Sequence, residues 1–310
     1  KAVSVWGGED GSYDTSTGVS ETPEYGKVFI SIKSTTGVDL TSVQKTNLES
    51  ALAPYKVASI TPVVVDAETT FLILGITIMY DTSSTTYTGA QIESLVATTI
   101  SNYSNNELET FNTPFRHSKV LGLIDNTDSS ILNSVATVTM SKLFTPTIST
   151  ATDYRLNFNN RFYNPHSGHN ASAGGIIAST GFYLNSVTTT TYFFDDDGNG
   201  NLRLYYLTGA TRNYTNETAG TVNYATGAIA INNIVITSIS NVDGVTSNRI
   251  RIVVLPRSND IVALRNQILE IDTVNTKVTG GVDTIAVGDE GGAANFSATS
   301  AGVDATGTSY

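Results

Sequence analysis

Asp195, Asp197 and Asn199, followed by Gly200, stand at the spacing with which a calcium-binding loop begins. Such a loop requires a bidentate Glu at its twelfth position, where this chain has Tyr206, and its ninth position is the cation Arg203. Apolar β-type runs flank the stretch on both sides, where helices would be needed. The segment therefore reads as a hairpin tip whose Asp, Asn and Gly residues tolerate positive φ. His166 and His169 in NPHSGHNASAGG are three apart, which suits one ion, but no third ligand stands near them. Nucleophilic chemistry lacks parts as well. There is no G-x-S-x-G elbow and no cysteine. His117 and Ser118 are adjacent, so on a helix they point about 100° apart and cannot serve as base and nucleophile. VWGGEDG lacks the lysine and the strand–helix setting of a phosphate loop. Asp125 and Asp128 read as a helix end and a turn. The expectation is no catalytic residue, no metal, no cofactor and no small-molecule substrate; the chain is not expected to be an enzyme.

Composition agrees with a building part. The 310 residues suit about two domains and suffice to bury a large core without metal or disulfide. Net charge is -11, yet only 15% of residues are charged, so Thr, Ser, Asn and Gly must cover much of the surface. Seventeen basic residues, scattered singly, do not form the clustered footprint that nucleic acid or an anionic membrane requires. The longest apolar run, Phe71 to Tyr80, is about half a bilayer span. The first residue is Lys, which is expected of the later part of something longer.

Elements follow from periodicity. Residues 1–24 form an irregular lead-in with an apolar patch at Val3, Val5 and Trp6. Residues 25–146 alternate between strand and helix. YGKVFISIK puts Val28, Ile30 and Ile32 on one strand face. LTSVQKTNLESALAPYK spaces Leu40, Val43, Leu48, Leu52 and Tyr55 as a helix, with Thr41 and Gln44 as a capping box. Two β-branched runs follow, then a helix capped by Thr88 and Gln91 with Ile92, Val96, Ile100 and Tyr103 as its buried stripe. A short helix near HSKVLGLID and the strand NSVATVTMSKLF complete the unit. The order predicts an α+β fold: an N-terminal ferredoxin-like split βαβ unit, one sheet with helices on one face, followed by an antiparallel β-rich domain over 147–285. The latter rests on short alternating runs separated by GNGN, ATG and VDG turns. DIVALRNQILEI suits a helix or a strand. Residues 286–310 lack the apolar content for a core and are expected to be a flexible or partner-dependent tail.

Several stretches stand in a set order: VWGGED at 5–10, YGKVFISIK at 25–33, ITPVVVD at 60–66, and LETFNTPFRHSKVLGLIDNTDSSILNS at 108–134. GTVNYATGAIAI at 220–231 and PRSNDIVALRNQILEID at 256–272 complete the series. Together they resemble the C-terminal half of the baseplate wedge protein family, the gene six product, of T-even-type contractile-tailed bacteriophages. The resemblance implies a structural subunit of the virion tail baseplate, assembled in the host cytoplasm. It implies a homodimer in contact with other baseplate wedge proteins, linking neighbouring wedges into a ring around the tail hub. The insert from Gly11 to Glu24 and the tail after Ala286 depart from the family pattern.

Trp6 before the glycine pair, Glu9 within GGED, and Tyr25 are the candidate interface residues, because an apolar anchor beside flexible backbone suits a joint between subunits. The competing reading for Trp6 is that it covers the edge of the first unit's core. A second function fits the composition too: a carbohydrate-binding or adhesin-like β domain using exposed tyrosines and loop acids or amides.

Overall fold

The computed structural model describes residues 2–10, 23–34, 40–57, 59–169, 175–241, 247–264 and 266–283. Most of the lead-in insert and the tail beyond 283 lie outside the described residues.

The chain opens with β1 (Ala2–Gly7), which pairs antiparallel with β2 (Lys27–Lys33). Helix α1 (Ser42–Leu52) then crosses over to β3 (Thr61–Val65), which lies parallel to β2. The Thr41–Gln44 capping box forms: the Thr41 hydroxyl accepts from the Gln44 N–H at 3.3 Å and the Gln44 side chain accepts from the Thr41 N–H at 2.9 Å. These three strands make a complete sheet of their own.

After Asp66 and Ala67 the chain enters a second sheet through β4 (Glu68–Tyr80). Its burial alternates strictly along most of its length: Leu72, Leu74, Ile76 and Ile78 face the core. Helix α2 (Gly89–Tyr103), capped by Thr88 and Gln91, buries the expected stripe of Ile92, Val96, Ile100 and Tyr103. Helix α3 (His117–Asp125) adds Val120 and Ile124. Strand β5 (Ile131–Phe144) then returns antiparallel to β4.

A small β-barrel follows. Its strands are β6 (Ala151–Asn157), β8 (Phe182–Leu184), β9 (Val187–Asp196), β10 (Asn201–Thr208), β11 (Thr211–Asn223) and β12 (Ala228–Ile239), while β7 (Ile177–Ser179) leaves for the second sheet. The path β11-β10-β9-β8-β12 closes because β11 also pairs with β12, and β6 adds to β12 from outside that ring. Strand β13 (Ile250–Val254) pairs with β5 and β7. Strands β14 (Gln267–Ile271) and β15 (Lys277–Val282) lie end to end, both parallel to β4 along its remaining edge.

The expected α+β fold with a ferredoxin-like unit is therefore corrected. Among the described residues, strand accounts for 48% and helix for 18%, so the molecule is mostly β there, built of sheets and a barrel. The strands foreseen as one βαββαβ sheet divide between two sheets at Asp66–Ala67. Alternation along a strand tells which face is buried but not which strand lies beside it. Here the free edge of β4 is filled by β14 and β15 from the far end of the chain, so β3 never reaches it. One continuous core runs from Leu72 and Ile92 through Phe144 and Phe182 to Ile231. Trp6, Phe29 and Val64 are buried but stand apart from it, so the first sheet packs as its own unit.

Candidate assembly surface

The acids singled out for chemistry are occupied by the protein itself. Asp195 and Asp196 end β9 and are buried. The Asp195 carboxylate accepts from Arg203 Nε at 2.9 Å, Arg212 Nη1 at 2.5 Å and the Tyr214 hydroxyl at 2.9 Å. Arg203 lies over the Tyr214 ring and Arg212 over Tyr205, so both guanidinium planes are clamped. Burial pushes the Asp195 carboxyl above the ordinary carboxylate value even against these cations. Asp196 accepts from the Ile177 N–H at 3.0 Å and from the Tyr224 hydroxyl at 2.6 Å. Asp197 alone serves the turn, accepting from the N–H groups of Asn199 and Asn201, with Gly198 and Gly200 at φ 75° and 104°. The Asp–Asn–Gly segment thus closes a hairpin, and its three carboxylates diverge into separate contacts.

His166 and His169 stand together, whereas His117 lies apart on α3. His169 Nδ1 meets the His166 carbonyl at 3.0 Å, and the two rings meet edge to face. His117 Nε2 meets the Ala136 carbonyl at 2.8 Å while its backbone N–H donates to Asp260. Among the described residues, no group of three or more His, Cys, Asp or Glu side chains could hold a metal ion. Asp125 accepts from Ser134 and Asp128 from Ser130, so these two acids serve separate local contacts.

The first unit has a different character. Trp6 is 7% exposed and stacks on Phe29 at 5.7 Å. Glu9 is exposed, and its carboxylate folds back over Gly7, where a methyl group would collide with it. Tyr25 is 82% exposed. The sequence spacing of α1 is amphipathic, yet none of its residues is buried; Val43 faces solvent and Leu48 and Leu52 are only half-buried. Alternation on β1 sends Trp6 inward and Val3 and Val5 outward, both about 60% exposed. Val3 and Val5 register with Ile32 and Ile30 on β2, so one side of this sheet carries two exposed valines beside two half-buried isoleucines. Tyr55 and Val57, just past α1, are exposed as well.

Sequence periodicity missed the polar contacts that hold the larger body together. Lys142 and Glu68 form a buried ion pair between β5 and β4, and Lys142 sits over the Phe158 ring. Arg251 on β13 pairs with Asp272 at the corner between β14 and β15. No local motif marks such pairs, since each joins residues far apart in the chain.

The unit boundaries decide the relationship of this chain to known proteins. Residues 1–65, the first sheet with α1, match the family model described as baseplate structural protein gp6, C-terminal domain I. Residues 68–143, which run from the start of β4 to the last residue but one of β5, match baseplate structural protein gp6, C-terminal domain III. The step between the two matches falls on Asp66–Ala67, where the chain changes sheets. Over both segments the chain is similar to baseplate structural protein gp6. The resemblance carried by the ordered motifs is borne out on these residues. The baseplate wedge protein gp6 of Enterobacteria phage T4 is 30% identical over 115 residues, 37% of this chain and 17% of that protein. This chain thus spans a minor part of the gp6 length it matches. The two gp6 segments end at residue 143, and the barrel strands β6 to β12 lie beyond them.

Proposed function

We propose that this chain is a non-enzymatic structural subunit of a phage tail baseplate wedge, carried in the virion and assembled in the host cytoplasm. In this reading it forms a homodimer, contacts other wedge proteins, and joins neighbouring wedges into a ring around the tail hub. The gp6 relationship supports the setting. The uncovered apolar surface of the gp6-like first unit carries the argument for association. A small unit whose helix has no fully buried residue, and whose outer sheet row sets exposed Val3 and Val5 beside half-buried Ile30 and Ile32, gains stability when a neighbour covers it.

Within that surface, Tyr25 offers an exposed aromatic anchor of the kind that dominates association energies. Glu9 stands at the rim, where charge tunes the rate and specificity of encounter more than affinity. Trp6 acts from behind, holding β1 against Phe29 so that Val3 and Val5 present a fixed row.

Light scattering across a concentration range tests the reading. A mass that rises to twice the chain mass, and that returns to the monomer in Val5→Lys, is the expected result. Val5 is exposed, so this change leaves folding nearly untouched. A chain that stays monomeric at high concentration, or a dimer indifferent to Val5→Lys and Tyr25→Ala, removes the first unit from the assembly role.

A further inference from the structure

We propose that the outer face of the barrel over β6, β12 and β11 is a binding trough for an oligosaccharide. Alternation sends Leu156, Ile229 and Val222 inward, all nearly fully buried, so Arg155, Asn157, Ala228, Ala230, Thr221 and Asn223 face out. The strand register sets these six in two rows. Arg155 lies opposite Ala230, which lies opposite Thr221; Asn157 lies opposite Ala228, which lies opposite Asn223. Each row has an alanine at its centre and longer polar side chains at both ends. The result is a channel one strand wide, with a methyl floor and polar walls. A surface cavity of ≈ 680 Å³ opens over these residues, within the usual size range of small-molecule sites.

The walls are oriented for donation. Asn157 Oδ1 accepts from the Asn159 N–H at 3.1 Å, and Asn223 Oδ1 accepts from the N–H groups of Ala225 and Thr226 at 3.0 and 3.1 Å. A backbone N–H can only donate, which fixes the carbonyl ends toward the turns and leaves both amide NH₂ groups for the trough. The matching ligand is rich in oxygen acceptors. An extended peptide is a poor match along the floor, because strand addition needs an open edge and β12 is hydrogen-bonded there on both sides, to β6 and to β11; the open edge of the sheet is the far side of β6. A polyanion is opposed by a chain of net charge -11 with Arg155 as the cation of the trough. Sugar hydroxyl and ring oxygens, with apolar C–H faces to lie on Ala228 and Ala230, fit both floor and walls. This inference does not depend on the assembly role.

The test uses the full chain on an array of neutral and uronic-acid oligosaccharides, followed by calorimetry on the glycans retained. Asn223→Asp keeps the oxygen that caps the turn and removes the donor, and Ala230→Tyr fills the floor. Each is expected to weaken binding about tenfold or more, the scale of one lost hydrogen bond to a ligand. Val235→Tyr, further along β12, is expected to bind as the parent does. Circular dichroism of each variant confirms that its fold is retained. Retention of no glycan by the parent, binding unchanged in both Asn223→Asp and Ala230→Tyr, or retention of acidic glycans alone that salt abolishes, overturns the proposal.

Discussion

Lys33 Nζ donates to Glu270 Oε2 at 3.0 Å, joining the end of β2 in the first sheet to β14 in the second across 237 positions of sequence. The Lys33 side chain is only 7% exposed, whereas Glu270 is 30% exposed. Removing the carboxylate therefore leaves a buried ammonium with its partner gone. Glu270→Gln is expected to destabilise the fold by about 1–3 kcal/mol, below the range for a fully buried pair because Glu270 is partly hydrated. Adding Lys33→Met to it is expected to restore much of the loss. Urea unfolding of the single and double variants measures both. A double variant less stable than Glu270→Gln alone would contradict this account of the tie.

Asp272 makes acid sensitivity predictable at a named corner. Burial pushes its carboxyl up, but hydrogen bonds from Arg251, from the Asn275 N–H and from the Asn275 side chain outweigh that and hold it below the ordinary value of 3.8. A lowered folded value means that the folded state favours the charged form. Its contribution is thus fully present above the unfolded value and is lost as pH falls through the folded one. The stability gap between the parent and Asp272→Asn is expected to be constant near neutrality and to shrink below about pH 4. Denaturant midpoints over a pH series would reveal the opposite slope if the sign were wrong.

Trp6 separates a packing role from a direct contact. Its ring stacks on Phe29 in a small sheet apart from the main core. Trp6→Ala is expected to cost about 3–5 kcal/mol, felt in the first unit. Hydrogen exchange should show the loss in β1 to β3, with protection in β4 and β5 unchanged. Equal loss of protection across both sheets would mean that the first unit does not open independently.

Two glycines give a paired comparison. Gly227 has φ 74°, and a methyl group there would run into the Asn160 carbonyl oxygen; Gly209 has φ 61° with open space around it. Gly209→Ala is expected to cost about 1 kcal/mol from backbone strain alone. Gly227→Ala should cost more, roughly 2–4 kcal/mol, because the Asn160 backbone must also shift. Melting temperatures in the same order support this; equal shifts would show that the β11–β12 turn yields.

Local order was legible where one residue answers to its near neighbours. Both capping boxes, the buried stripe of α2 and the Asp197–Gly200 turn depend on contacts within a few positions, and the residue types announce them. The candidate assembly surface was half legible. Val3, Val5 and Trp6 stood out as an apolar patch, but alternation alone could not say that Trp6 lies inward on Phe29 while the two valines face solvent. Nor could amphipathic spacing reveal that α1 leaves Val43 in solvent and none of its residues fully buried.

What the sequence determined by itself was chemistry and local form: no thiol, an acidic and sparsely charged surface, the hairpin turns, and an ordered series of stretches pointing to baseplate proteins. Tertiary structure alone decided that β3 and β4 part company at Asp66–Ala67, that β14 and β15 fill the edge of β4, and that β11 closes on β12. Strand pairing is a long-range choice. Every strand offers the same backbone donors and acceptors, so the partner is selected by which faces can be buried together, and that is settled only when the whole chain packs.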